Sequence, residues 1–257
     1  MTAQIIPFPD PFSPPPLIET ARCALFLDLD GTLAPIVARP QDVRPDPRRT
    51  FILRRLAERL DRRLAIVSGR TLSEIAAITE DAVAALAGVH GLQRRTVLGD
   101  EITVLPDPDL GEAAAVFQAL ARAQPQLVVE EKGLSVALHY RAMPSACEAV
   151  RDAARRLEAA TSLVMQEGDM VVELRTAGAD KGQAVDAFMA EWPFRGALPI
   201  FVGDDLTDED GFLAAEAAGG YGVLVGRPGR SSVARHRLPD VAAVLDWLEA
   251  ATAERAS

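Results

Sequence analysis

Cysteine is scarce: the 257 residues hold two, Cys23 and Cys147, far apart and in no C-x-x-C. That excludes a disulfide framework and the usual zinc spacings, and both read as core thiols. Positive charge is also short. With 27 Lys and Arg against 37 Asp and Glu, the formal charge is −10, which excludes nucleic acid and anionic membrane as partners, since either needs a basic patch. The arginines that do cluster, as in "RRTFILRRLAERLDRR", are mixed with acids and read as the solvated face of a helix. No apolar run is long enough to span a bilayer, and no apolar segment follows a basic start, so a cytoplasmic location is expected. Internal repeats are absent, and the one biased block is the proline-rich "IIPFPDPFSPPPLIE", read as an extended or disordered arm. What is plentiful is apolar residues, 49% of the chain beside 25% charged, the balance of a soluble globular protein with a sizeable core.

Compact apolar runs alternate with amphipathic stretches. "CALFLDLD", "LAIVSGR" and "AALAGVHG" read as buried strands, with a helix over 45–63 stacking Ile52, Leu56 and Leu60 and another opening at Thr71. Continuous apolar strands between helices predict a parallel sheet covered on both faces. The texture then changes. "LGDEITVLPDPDLG" reads as a polar crossing, followed by a helix near 112–123. "QLVVEEKGLSVALHYR" reads as two strands around Lys132-Gly133, the second alternating Leu134, Val136 and Leu138 against Ser135, Ala137 and His139. After a helix over 145–160, "SLVMQEGDMVVELR" reads as a hairpin around Gly168-Asp169. This is the pattern of an antiparallel sheet with one covered face. Parallel order resumes with a helix from Lys181, the strand "LPIFVGD", a helix from Thr207, the strand "YGVLV" and a closing helix. The expected α/β architecture is a Rossmann-like parallel core with an inserted smaller α+β domain. Its divisions are an arm at 1–20, core at 21–105, insertion at 106–177 and core again at 178–257. "GRPGRSSVARHRL", residues 226–238, has no assigned role.

Four segments fall at strand ends or helix starts: "DLDGT" (28–32), "VSGR" (67–70), "DKG" (180–182) and "GDDLTDED" (203–210). Ligands of open α/β sheets bind at the carboxyl ends of strands, so these segments can converge. Taken in order, they resemble the four motifs of the haloacid dehalogenase (HAD) superfamily. The resemblance implies phosphoryl transfer, a reaction catalysed by positioning and charge neutralisation. It makes Asp28 the nucleophile and Asp30 the general acid and base. Ser68, with the amides of Gly69 and Arg70, would hold phosphate oxygens, and Lys181 would balance the charge. It implies Mg²⁺, bound by Asp28, the backbone carbonyl of Asp30 and Asp204. Asp205 and Asp208 would steady Asp204, the metal's waters or Lys181.

The insertion lies where that superfamily carries its C2-type cap. Within it and beside it, "GVHG" (88–91), "EEKGLSVALHYR" (130–141) and "VVELR" (171–175) resemble trehalose-6-phosphate phosphatases. That narrower resemblance implies Glu130, Lys132 and Glu173 on sugar hydroxyls, which carboxylates can accept from and Lys can donate to. His90 and Gly91 are expected at the substrate or the cap hinge, and Arg141 either on substrate or in an ion pair. Glu131 is expected to face solvent and His139 to be structural. The expected partner is thus a small sugar phosphate and the expected state a monomer. Two readings stay open beside trehalose 6-phosphate: another sugar phosphate such as sucrose 6-phosphate, and a silent sugar-phosphate-binding regulatory module.

Overall fold

The computed structural model describes residues 13–37, 39–168, 170–227, 229 and 231–253. Strand β1 (Cys23–Leu27) is followed by α1 (Pro47–Arg59), β2 (Leu64–Val67), α2 (Leu72–Thr79), β3 (Ala85–Gly88), β4 (Gln93–Arg95) and β5 (Glu101–Thr103). Next come α3 (Leu110–Ala123), β6 (Val128–Glu131), β7 (Ser135–His139), α4 (Cys147–Ala160), β8 (Val164–Gly168) and β9 (Val171–Arg175). The chain continues with α5 (Lys181–Met189), β10 (Leu198–Gly203), α6 (Asp208–Ala217), β11 (Tyr221–Val225), β12 (His236–Leu238) and α7 (Val241–Thr252).

One eight-stranded sheet runs in the order β12-β11-β10-β1-β2-β3-β4-β5. Its members from β12 to β3 are parallel, and β4 and β5 continue it antiparallel. All of β1 is buried, as a strand covered on both faces must be, and its side chains divide by parity. Cys23, Leu25 and Leu27 join Ile52, Leu56, Ile75 and Leu248 from α1, α2 and α7. Ala24 and Phe26 join Val185, Phe188 and Phe212 from α5 and α6. Phe26 stacks on Phe194 with ring centroids 5.5 Å apart, and each such buried side chain contributes about 1.5–3 kcal/mol. Helix starts are specified locally. Asp46 accepts from Arg49 N ahead of Pro47, Thr71 and Glu74 form a capping box, and Asp180 accepts from Gln183 N at the head of α5.

Several expectations shift. The helix expected over 45–63 ends at Arg59, because the chain reverses at Asp61 and Arg62 with φ of 47° and 65°. The strand expected through Gly91 ends at Gly88, and Val89–Gly91 form a 3₁₀ turn with Val89 and His90 at positive φ. The polar crossing contains β5, whose residues are all exposed and so carry no apolar signal. The unassigned 226–238 segment contains β12. Of the proline-rich arm, residues 1–12 lie outside the described residues. The rest is extended but docked: Ser13 bridges His236, Trp247 Nε1 donates to Pro16 O at 2.9 Å, and Ile18 is buried.

A second, antiparallel sheet runs β6-β7-β9-β8. Asp169, at the expected hairpin turn between β8 and β9, lies outside the described residues. Phe117 and Leu157 from α3 and α4 pack with Val136, Leu138, Val172 and Leu174 on one face. Register aligns Glu130, Ala137, Glu173 and Gln166 across the four strands. Since side chains alternate faces along a strand, this row stands on the face away from α3 and α4, toward the carboxyl ends of the core strands.

Candidate active site

Asp28 follows the last residue of β1, its amide donating to Val202 O at 2.9 Å. It is buried, as are Lys181 at the head of α5 and Asp208 at the head of α6. Lys181 Nζ lies 2.8 Å from Asp28 Oδ1 and 2.6 Å from Asp208 Oδ1. The other Asp208 oxygen accepts from the amides of Asp204 and Asp205, each at 2.9 Å. Asp208 therefore ties the β10–α6 loop to the lysine. Asp204 rests against the turn after β1: a Cβ on Gly31, whose φ is +86°, would fall 2.2 Å from Asp204 Oδ2. Only glycine fits there.

Oxygens of Asp28, Asp204 and Asp208 all lie within 4.8 Å of one another. Burial raises Asp28 well above the usual carboxylate range; Asp208 and Asp204 add to the rise and Lys181 opposes it. Burial, with Asp208 beside it, pushes Asp204 up to about 7. Burial works against the Lys181 charge, yet Asp208 and Asp28 hold its pKa well above the ordinary lysine value. One ammonium does not offset three clustered carboxylates. A hard divalent cation fits this all-oxygen donor set, and Asp28 and Asp204 are the pair suited to hold it, because Asp208 is committed to Lys181 and two amides.

Asp30 is gripped by Arg70, Nε to Oδ2 at 2.6 Å and Nη2 to Oδ1 at 2.8 Å. Arg70 also donates to Pro40 O at 3.0 Å. The sequence reading put Arg70 at the phosphate through its amide; its guanidinium, to which that reading gave no role, goes to the second aspartate. Ser68 is buried, and its Oγ accepts from Arg70 N at 3.2 Å. Gly69 lies under His90, whose Nε2 a Cβ there would meet at 2.6 Å. Gly91, expected at the substrate or the cap hinge, packs on the start of α5: with φ +102°, a Cβ there would fall 2.7 Å from Asp180 O. Its position supports the helix that carries Lys181.

The second sheet closes over these groups. Glu173 Oε2 lies 3.3 Å from His90 Nε2. Lys132 Nζ lies 3.4 Å from both Glu173 oxygens and donates to Gly69 O at 3.0 Å. Burial would raise Glu173, but the Lys132 charge and the His90 hydrogen bond outweigh it and hold the carboxyl well below its usual range. Glu130 pairs with His139 Nε2 at 2.8 Å, which gives that histidine its structural partner. Glu131 is exposed.

A lobe of about 160 Å³ lies between the sheets, lined by Asp28, Asp30, His90, Lys132, Glu173 and Lys181 among others. An adjoining lobe of about 380 Å³ shares Asp30, Val171 and Asp205 with it and adds Ile36, His139 and Arg141. A larger hollow of about 600 Å³, lined by Ala57, Arg62, Val83 and Leu98, lies at the other ends of the strands and holds none of these groups. Gln166, Val171 and Thr207 also line the first lobe and were not singled out in the sequence. Only the register against Glu173 exposes Gln166, and nothing local marks the other two.

The geometry unites a buried Asp–Lys–Asp cluster with a polar cap face. A sequence profile described as Trehalose-phosphatase matches residues 26–237. The chain belongs to the trehalose-phosphatase family. Trehalose-6-phosphate phosphatase of Escherichia coli (strain K12) is 39% identical over 243 residues, 92% of this chain and 91% of that protein. A probable trehalose-phosphate phosphatase of Sinorhizobium fredii is 35% identical, covering 86% of this chain and 84% of its own. Among solved structures, the C-terminal domain of C. albicans trehalose-6-phosphate phosphatase superposes with a TM-score of 0.82 at 21% identity, covering 95% of this chain and 99% of that one. A HAD superfamily phosphatase from Bacteroides thetaiotaomicron does so at 0.61 and 16% identity, covering 89% and 94%. These two likenesses are of fold: a parallel α/β core with a smaller antiparallel sheet over its strand ends.

Proposed function

We propose that the protein hydrolyses trehalose 6-phosphate to trehalose and phosphate, with Mg²⁺ as its cofactor. The observation that carries this reading is the meeting of Asp28–Lys181–Asp208 with Lys132 and Glu173 across one small lobe. Asp28 attacks phosphorus, and the bond from phosphorus to the sugar 6-oxygen breaks. Asp30 gives its proton to that leaving oxygen. In the second half, Asp30 takes a proton from water as the water oxygen attacks phosphorus, and the Asp28–phosphorus bond breaks to release phosphate. Arg70 fixes the direction of the Asp30 carboxyl through two hydrogen bonds. Ser68, the amides of Gly69 and Arg70, and Lys181 face the transferred group. A Mg²⁺ held by Asp28, Asp204 and the Asp30 carbonyl would supply charge neutralisation at phosphorus.

The cap face accounts for the sugar. Glu173 stays ionised and accepts only, while Lys132 donates only, so each suits hydroxyls of defined orientation. Such a site rejects esters without those hydroxyls, because its polar groups would be left unpaired. Arg141 borders the adjoining lobe and Glu130 stands in the cross-strand row of Glu173; both are assigned to the disaccharide. The test is phosphate release from trehalose 6-phosphate, sucrose 6-phosphate and glucose 6-phosphate, with and without Mg²⁺. The reading requires Mg²⁺-dependent turnover with the highest kcat/KM on trehalose 6-phosphate. Preference for another ester would reassign the substrate, and no turnover of any would leave a binding module.

A further inference from the structure

Two linkers join the cap sheet to the core, and their ends are fixed. On the first, Val104 N donates to Leu92 O at 3.1 Å on the core side, and Asp107 N donates to Thr176 Oγ1 at 3.1 Å on the cap side. On the second, Thr176 N donates to Leu134 O at 2.9 Å, and Asp180 opens α5 as its N-cap. Between these ends Leu105 and Pro106 are exposed, as are Ala177 and Gly178. Gly178 has φ +114°, with nothing within 4 Å of the place a Cβ would take. A few such loop residues can absorb the dihedral change of a turning cap. One side chain spans this joint along the second linker. Arg175, the last residue of β9, is buried. Its Nε donates to Gln166 Oε1 at 2.9 Å inside the cap, and its Nη1 donates to Ala179 O beyond Gly178. The donors of a guanidinium are held in one rigid plane, so the two bonds together set Ala179 against β8 and β9. Ala179 in turn packs on the cluster of Val89, Leu92 and Leu134. Charge acts in the same direction. Burial works against the Arg175 cation, while Glu173 in the cap and Asp180 and Asp210 in the core favour it.

We propose that Arg175 is a positioning residue: by bracing the linker across Gly178, it sets the angle at which the cap face bearing Glu173 and Lys132 meets Asp28 and Lys181. Arg175 itself is not among the residues lining either lobe, so it acts through the groups it places. Helix α5 has supports of its own, the Asp180 cap and the packing of Gly91 on Asp180 O. Loss of the brace therefore lets the cap swing while Lys181 stays in place, and the effect falls on sugar recognition. The activity arm of the test rests on the trehalose 6-phosphate reading, while the distance arm does not.

Spin labels at Glu58→Cys on α1 and Arg156→Cys on α4, both exposed, report the core-to-cap distance by pulsed electron resonance. Cys147→Ser removes the half-buried thiol, and Cys23 is buried. With Arg175 present, the unliganded protein should give one narrow distance distribution. Arg175→Met packs but cannot donate, and its distribution should broaden and shift. kcat/KM for trehalose 6-phosphate should then fall at least about 10-fold, mainly through KM, with p-nitrophenyl phosphate turnover changed by less than about 3-fold. Arg175→Lys keeps the charge and one of the two bonds, and should fall between wild type and Arg175→Met in both measurements. An Arg175→Met distribution matching the wild type, or equal losses on the two esters, would overturn the proposal. If Arg175→Met does not fold, Arg175→Lys decides it, since its distribution must be broader than that of the wild type. If the wild type releases no phosphate from trehalose 6-phosphate, the substrate reading fails, and the distances alone decide the brace.

Discussion

Lys181 sits between two buried carboxylates at 2.8 and 2.6 Å, and removing its charge leaves both acids without compensation. Lys181→Met should therefore destabilise the metal-free protein by about 3–5 kcal/mol, read from urea unfolding at neutral pH. Asp204 gives a pH signature. Its folded pKa of about 7 lies above the unfolded value of 3.8, so ionising it costs stability. The metal-free protein should lose stability as pH rises from about 4 to about 7, and a cation that binds the ionised form should offset the loss. The rise in Tm on adding Mg²⁺ should thus grow across that window; an increment independent of pH would contradict the placement. At this scale the aspartates and Lys181 were legible in the sequence because their chemistry is tied to strand ends. Arg70 was not, since a guanidinium after Ser68-Gly69 can reach outward to substrate or back to Asp30, and only the folded turn decides. The packing of Gly91 on the start of α5 was not legible either, because the positive φ that directs it there cannot be read from the sequence.

Elements that were read well are those with strong periodicity. β1, β2 and β10 are buried almost throughout, and α2 and α5 begin within a residue of the expected Thr71 and Lys181. β4, β5 and β12 are three residues each, too short for period-2 alternation, and β4 and β5 are half-exposed or exposed. They exist because the sheet edge offers backbone partners, which is information held by the neighbouring strand. The turn between β1 and α1 carries a sharper consequence. A methyl on Gly31 would collide with the Asp204 carboxylate and would also strain a φ of +86°. Gly31→Ala should lower kcat by at least about 100-fold, as expected when groups near the reaction shift by about 1 Å. Far-UV circular dichroism should show the fold retained, and near-wild-type activity would mean that Asp204 has no fixed role.

Across the whole molecule, core and cap meet through Lys132 to Gly69 O, His90 to Glu173, and the shared lobe. The parallel core and the inserted antiparallel sheet were legible as a change of texture along the chain, yet how the cap face meets the core was not, because cross-strand register is invisible until the hairpins are paired. Lys132→Ala should remove a cap–core tie and a sugar donor together, cutting kcat/KM for trehalose 6-phosphate at least about 10-fold while sparing p-nitrophenyl phosphate. Equal losses on both esters would mean that the cap acts on the chemistry itself. The account's central claim is that Asp28 is transiently phosphorylated. Rapid acid quench of the enzyme turning over radiolabelled trehalose 6-phosphate, followed by peptide mapping, tests it most directly. The account predicts label on the peptide containing Asp28, absent in Asp28→Asn; turnover with no label bound to protein, or label on another residue, would contradict it.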